Sequence, residues 1–150
     1  MNGRLGAVAG VLAVTLAGCS SSGGQRNAGN KVALDAKPVT VCAAAAKAVA
    51  LPAGFPADFP LPPGTVVTSA SDRASAGLVV TGVTSTSFKD VLAALQSQLP
   101  EHGFTAQDGE TEPHDAESDW RSATFDGRWA IRELPQCPGD TSVSVLARPK

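Results

Sequence analysis

Ser87-Phe88-Lys89-Asp90-Val91-Leu92-Ala93-Ala94-Leu95-Gln96-Ser97-Gln98-Leu99-Pro100-Glu101-His102-Gly103 is the stretch on which the fold turns. Phe88, Val91, Leu92, Leu95 and Leu99 fall at i, i+3, i+4, i+7 and i+11, so a helix gathers them on one side and leaves Lys89, Gln96 and Gln98 on the other. Ser87-Phe88-Lys89-Asp90 reads as a capping box with Asp in place of Glu. Pro100 should kink or end the helix, and Gly103 suits the left-handed position that follows a last turn. A helix with one apolar face needs a second layer to bury it.

The flanking segments supply strands for that layer. Thr65-Val66-Val67-Thr68-Ser69 and Gly77-Leu78-Val79-Val80-Thr81-Gly82-Val83 are rich in β-branched residues and are separated by a polar turn around Ser71-Asp72-Arg73, which predicts an antiparallel pair. Phe104-Thr105-Ala106-Gln107 predicts a short strand, followed by an acidic loop over 108–119. Thr141-Ser142-Val143-Ser144-Val145-Leu146-Ala147 closes the chain as a last strand with Val143 and Val145 inward. Ahead of these, the alanine-rich run from Cys42 to Leu51, stopped by Pro52, predicts a short helix. Phe55-Pro56-Ala57-Asp58-Phe59-Pro60-Leu61-Pro62-Pro63-Gly64 is too proline-dense for helix or central strand. It reads as a rigid strap over the core that turns at Pro63-Gly64. The class is α+β: a small antiparallel sheet covered on one face by an amphipathic helix, with a short Ala-rich helix before it.

Asp126-Gly127 is the preferred dipeptide of a two-residue type I′ turn, so 120–125 and 128–134 are expected to form a hairpin. That register sets Trp120 opposite Glu133, Arg121 opposite Arg132 and Phe125 opposite Arg128. Trp120, Ser122, Thr124, Trp129 and Ile131 then share one face, meeting the helix, while Arg121, Arg128 and Arg132 share the other with Phe125. Like charges directly across a strand pair destabilise it. Either Glu101, Glu133 or the acidic loop pairs with these arginines, or they contact an anion or an acidic partner.

The start of the chain carries an address. Residue Arg4 precedes an apolar stretch over 5–16, too short for a permanent span of about 30 Å of hydrocarbon but suited to a signal-peptide core. Leu16-Ala17-Gly18-Cys19, followed by Ser20-Ser21-Ser22-Gly23-Gly24, resembles the lipobox of bacterial lipoprotein signal peptides. That resemblance implies cleavage after residue 18, diacylglyceryl modification of Cys19, and attachment to the extracytoplasmic side of the cell membrane. Each buried methylene of an acyl chain contributes ~0.8 kcal/mol, so two chains hold a domain without a transmembrane helix. The alternative is an ordinary secretory signal ending near Ala17, with Cys19 a spare thiol. On the lipoprotein reading, 1–18 is the signal peptide, 19–36 a lipidated flexible tether spanning roughly 20–25 Å, and 37–150 a single domain.

Of the chain's three cysteines, Cys42 and Cys137 then remain as a pair in an oxidising setting, where a disulfide is expected and two separate buried thiols are the alternative. The mature side chains carry a net charge of −3, which argues against nucleic acid and against broad adhesion to anionic lipid. Leu61-Pro62-Pro63-Gly64, Leu99-Pro100-Glu101-His102-Gly103-Phe104, and Trp129 followed by Cys137 are similar to pieces of small helix-on-sheet lipoprotein domains of high-GC Gram-positive bacteria. The likeness covers about 55–147. It implies the fold and the anchor, and it brings no catalytic residues with it.

Candidate chemistry is sparse. Asp108, Glu110, Glu112, Asp115, Glu117 and Asp119 crowd together, and Asp115-x-Glu117-x-Asp119 invites a calcium reading; Trp120 and Asp126 then occupy positions where an EF-type loop needs Gly and Glu. Two histidines, His102 and His114, and no Cys-x-x-Cys spacing give zinc no ligand set. No Gly-x-Ser-x-Gly elbow accompanies them. The expectation is a non-enzymatic surface domain, without cofactor or metal, that binds a protein or cell-envelope component through its exposed sheet face or acidic loop. The alternative is a carrier holding a small apolar ligand between helix and sheet, in a cavity lined by Val80, Leu92, Leu95 and Trp129. An enzyme is distinguished by a His102 or His114 seated in a pocket beside a serine or carboxylate.

Overall fold

The computed structural model describes Leu34 and residues 36–150. The expected signal segment, Cys19 and the tether up to residue 33 lie outside the described residues. Six strands form one antiparallel sheet: β1 (Val66–Asp72), β2 (Leu78–Thr84), β3 (Thr105–Thr111), β4 (Asp115–Arg121), β5 (Phe125–Glu133) and β6 (Thr141–Pro149), in the order β1-β2-β6-β5-β4-β3. A single helix, α1 (Phe88–Glu101), packs on one face, so the α+β expectation holds. The helix joins β2 to β3, four strand spacings or about 19 Å apart. At 14 residues it is about 21 Å long, enough to cross that width. The last strand fills the space between, pairing Val80 with Val145 on β2 and Trp129 with Val145 on β5.

Helix α1 begins as its sequence requires. The Ser87 hydroxyl oxygen accepts from the Asp90 N–H at 3.3 Å and donates to the Asp90 carboxylate at 2.6 Å. Pro100 sits in the last turn, and the Phe104 N–H closes on the Leu99 carbonyl at 2.9 Å past Gly103 at φ +80°. Val91, Leu95 and Leu99 are buried against Leu78, Val80, Trp129, Ile131, Val143 and Val145. The strap lies over the core as expected: Phe59 meets Phe104 at 5.3 Å and Trp120 at 5.1 Å between ring centroids, and Phe55 packs edge-on against Phe59.

Three expectations are overturned. The alanine-rich run forms one 3-10 turn, Ala43–Ala45, and no α-helix; it is extended by Val49, whose N–H bonds the Val67 carbonyl at 2.8 Å beside β1. Ten residues, six of them alanine, are too few to sustain a helix alone, and alanine offers little apolar face for a neighbour to hold. The acidic loop over 108–119 is a hairpin, β3 with β4, turning at Glu112, Pro113 and His114. And Asp126-Gly127 is not a turn. Both residues lie within β5, Gly127 has no positive φ, and Trp120 stands opposite it.

The hairpin turns three residues earlier, at Ala123 and Thr124, where Ser122 donates its N–H to the Phe125 carbonyl at 2.9 Å and its hydroxyl accepts from the Phe125 N–H at 3.1 Å. Ser122 and Thr124 therefore belong to the turn and not to a sheet face. A Cβ on Gly127 would stand 2.0 Å from the Leu146 carbonyl oxygen and 2.5 Å from the Trp120 ring. The glycine is there because an indole lies on the strand, not because the chain reverses. The shift moves Trp120's partner by an even number of residues, so Trp120, Trp129 and Ile131 still face the helix. Phe125 joins them, partly buried against the same core, instead of lying among the arginines.

Candidate functional site: the second face of the sheet

Opposite the helix, the strands present alternate residues in cross-strand rows. One row runs Ser142, Arg132, Asp115; the next Ser144, Ala130, Glu117, Glu110; the next Leu146, Arg128, Asp119; the last Arg148, Asp126, Arg121. The structure thus brings Arg121, Arg128 and Arg132 onto one face, as expected. Arg121 is not opposite Arg132, however. The corrected register sets Arg121 against Asp126 and Arg132 against Asp115, so the like-charge conflict does not arise.

Arg128 is the centre of this face. It is 5% exposed, donates Nη1 to Asp119 Oδ1 at 2.7 Å and Nε to Glu117 Oε2 at 3.3 Å, and pairs Nη2 with Glu117 Oε1. Burial works to lower its pKa, but the hydrogen bonds and charges of Glu117 and Asp119 outweigh it and hold the guanidinium above its ordinary value. Arg148 pairs with Asp126. Arg132 is different: exposed, with one long 3.5 Å contact to Asp115. Of the three arginines, Arg128 is occupied internally, whereas Arg121 and Arg132 face solvent.

Among the described residues, three of the surface cavities bear on function. A groove of about 230 Å³ runs where residues 34, 36–39 cross Ala130, Ser142 and Ser144. A cleft of about 560 Å³ at the end of the sheet is lined by His114, Arg132, Glu133, Leu134, Pro135 and Pro138, with His114 Nδ1 2.7 Å from Glu133 Oε2. A third, about 340 Å³, has Asp58, His102 and Ser122 on its walls. His102 thus shares a cleft with a serine and a carboxylate, the arrangement that would point to an enzyme. No hydrogen bond joins the three among the described residues, and the Ser122 hydroxyl is held by the turn it caps. His114 has a carboxylate partner, and no serine, threonine or cysteine lines its cleft among the described residues.

Asp115, Glu117 and Asp119 follow one another along one face of an extended strand, about 7 Å apart, and two of them bind Arg128. They do not form the loop a calcium ion requires. Cys42 and Cys137 are joined as a disulfide with Cα atoms 5.5 Å apart. Asp140 lies beside the two sulfurs, so this trio resembles a metal site in composition, but its sulfurs are bonded to each other and offer no thiolate. The bond holds the chain's leading segment down: Val39, Cys42, Ala43 and Ala46 pack on Val83, Leu134 and Cys137. Neither the β3–β4 hairpin nor the His114–Glu133 cleft at its tip is among the expectations from sequence. The signal was present, in the strict alternation of Asp115, Glu117 and Asp119 with Ala116, Ser118 and Trp120.

No helix among the described residues is long and apolar enough to cross a membrane. Comparison of the chain with protein-family models, with curated proteins and with solved structures gives no match in any of the three.

Proposed function

We propose that this chain is an exported, lipid-anchored, non-enzymatic domain that binds a protein or cell-envelope component through the second face of its sheet and the acidic β3–β4 hairpin. The observation that carries the reading is the Cys42–Cys137 bond: it accounts for two of three cysteines and leaves Cys19, directly after Leu-Ala-Gly, as the one without a partner thiol. An acylated Cys19 would hold the domain to the extracytoplasmic side of the membrane. The binding half of the proposal draws on β3, exposed along all seven residues at one sheet edge, and on Arg121 and Arg132, which present charge to solvent.

Labelled palmitate should enter the wild-type chain and not Cys19→Ser; equal labelling of both removes the anchor. For the binding face, cross-linking on intact membranes followed by purification should capture a component with wild type that is lost with Glu112→Lys/Arg132→Glu. Capture unchanged by that pair places recognition elsewhere on the molecule.

A carrier is the second reading, and one observation favours it: the indole N–H groups of Trp120 and Trp129 are buried and have no hydrogen-bond partner among the described residues. Val80, Leu95 and Trp129 are themselves packed into one core, at 2%, 0% and 4% exposure. Trp120 and Trp129 are the chain's two tryptophans and it has no tyrosine, so fluorescence reads this site directly. A carrier would show saturable changes in emission on titration with a fatty acid or a small aromatic; a flat titration leaves the partner-binding reading alone.

A further inference from the structure

Cys137 sits in the loop joining β5 to β6, a loop closed by three backbone hydrogen bonds: Leu134 N–H to the Asp140 carbonyl at 3.1 Å, Cys137 N–H to the Leu134 carbonyl at 2.9 Å, and Asp140 N–H to the Cys137 carbonyl at 2.9 Å. Asp140 ends that loop, and its carboxylate reaches across to accept the Ala43 N–H at 2.7 Å. This bond fixes a carboxylate oxygen within 4.8 Å of both sulfur atoms. Cys137 is 4% exposed and Cys42 is half-buried, so attack is assigned to Cys42 Sγ, the sulfur of the less buried residue.

Reduction of this bond starts when a thiolate attacks Cys42 Sγ. A mixed disulfide forms, the Cys42–Cys137 bond breaks, and Cys137 leaves as a thiolate that takes a proton from solvent. A second thiolate then attacks the reagent's sulfur and releases Cys42, so the disulfide gains two electrons and two reagent thiols become one disulfide. Negative charge is spread along the three sulfurs in the first step. A fixed carboxylate at that distance repels the attacking anion and disfavours the negative charge that gathers on the departing sulfur, and both effects slow exchange.

We propose that Asp140 is an electrostatic guard of the Cys42–Cys137 latch, making it resistant to anionic thiols and selective for cationic ones. The proposal goes beyond the anchored-domain reading and does not depend on it. The latch it protects is the one that keeps the leading segment across Val83 and Leu134.

The test is the rate of reduction by cysteamine, a cationic thiol, against mercaptopropionate, an anionic one, followed by alkylation and mass measurement, each rate divided by its thiolate concentration and by the same thiol's rate with an uncharged model disulfide, which removes the difference in intrinsic nucleophilicity. On the wild-type protein at low salt, cysteamine should be faster by about tenfold or more, and 0.5 M salt should collapse the preference. Asp140→Asn, whose amide oxygen still accepts the Ala43 N–H, should lose most of the preference and react with mercaptopropionate about tenfold faster. Asp108→Asn, the same charge removed from β3, should keep it. The proposal is overturned if wild type shows no preference for the cationic thiol, a result readable even where Asp140→Asn fails to fold. It is equally overturned if Asp140→Asn and Asp108→Asn shift the preference by the same amount, or if salt leaves it unchanged.

Discussion

Gly127 and Arg128 are adjacent in sequence and point to opposite faces of β5, and each is defined by what lies across from it. Gly127 admits the Trp120 ring, which stacks the Phe59–Phe104 aromatic cluster onto the sheet. Adding one methyl there forces either the indole or the β6 backbone to move, because the nearest atom is the Leu146 carbonyl oxygen. Overpacking of this kind costs about 1–3 kcal/mol, and the backbone contact places Gly127→Ala at the upper end. The expected result is a lower urea midpoint with Trp emission shifted to the red; a variant as stable as wild type would show that the indole is not seated on that glycine. Read from sequence, Asp126-Gly127 is a turn signal with a sound local rationale. Nothing within four residues reveals that the glycine answers to a tryptophan seven positions back, so local chemistry pointed the wrong way.

At the level of elements, legibility follows how much of an element's cause is local. Helix α1 is readable in its start and its buried face because its cap, apolar stripe and following glycine are all written within 17 positions, whereas its continuation through Pro100 to Glu101 is not. Replacing Ser87 with Ala removes the hydroxyl that both accepts from and donates to Asp90, and should destabilise the domain by about 1 kcal/mol in a denaturant titration, with the slope unchanged. A loss under a few tenths would mean the carboxylate of Asp90 suffices to hold the first turn. The alanine run failed for the opposite reason. Propensity favoured a helix, but the segment is tethered at Cys42 to the far loop and at Val49 to β1, and tertiary contacts decide where few side chains can pack. Edge strands show the same division. Gln107 folds its amide back onto the Ala106 carbonyl at 3.1 Å, and a register shift between Ala106 and Gly109 interrupts β3, two devices that discourage edge-to-edge association.

For the whole molecule, the decisive long-range constraint is the one the sequence announced through arithmetic. The candidate face is legible in part: the sequence places the three arginines on one side and names the acidic run among their partners, while which carboxylate meets which arginine depends on a register set by Trp120 and Gly127. The Cys42–Cys137 pair needed no register, only a count. It spans 95 residues and ties the segment before the strap to the loop before the last strand, so it constrains nearly the entire domain in the unfolded state. In the chain-entropy account a loop of that length contributes about 4–5 kcal/mol. Cys42→Ala/Cys137→Ala should therefore lose most of that amount in urea while the native contacts of Val39 and Ala46 with Val83 and Leu134 persist. Because the effect acts on the unfolded chain, which becomes more expanded, the denaturant slope should rise and the transition should stay a single step. Two transitions, or protection lost from the leading segment alone in hydrogen exchange, would instead show that the bond serves as a local latch on an otherwise self-sufficient sheet. That outcome would relocate its contribution from the stability of the domain to the closure of its second face.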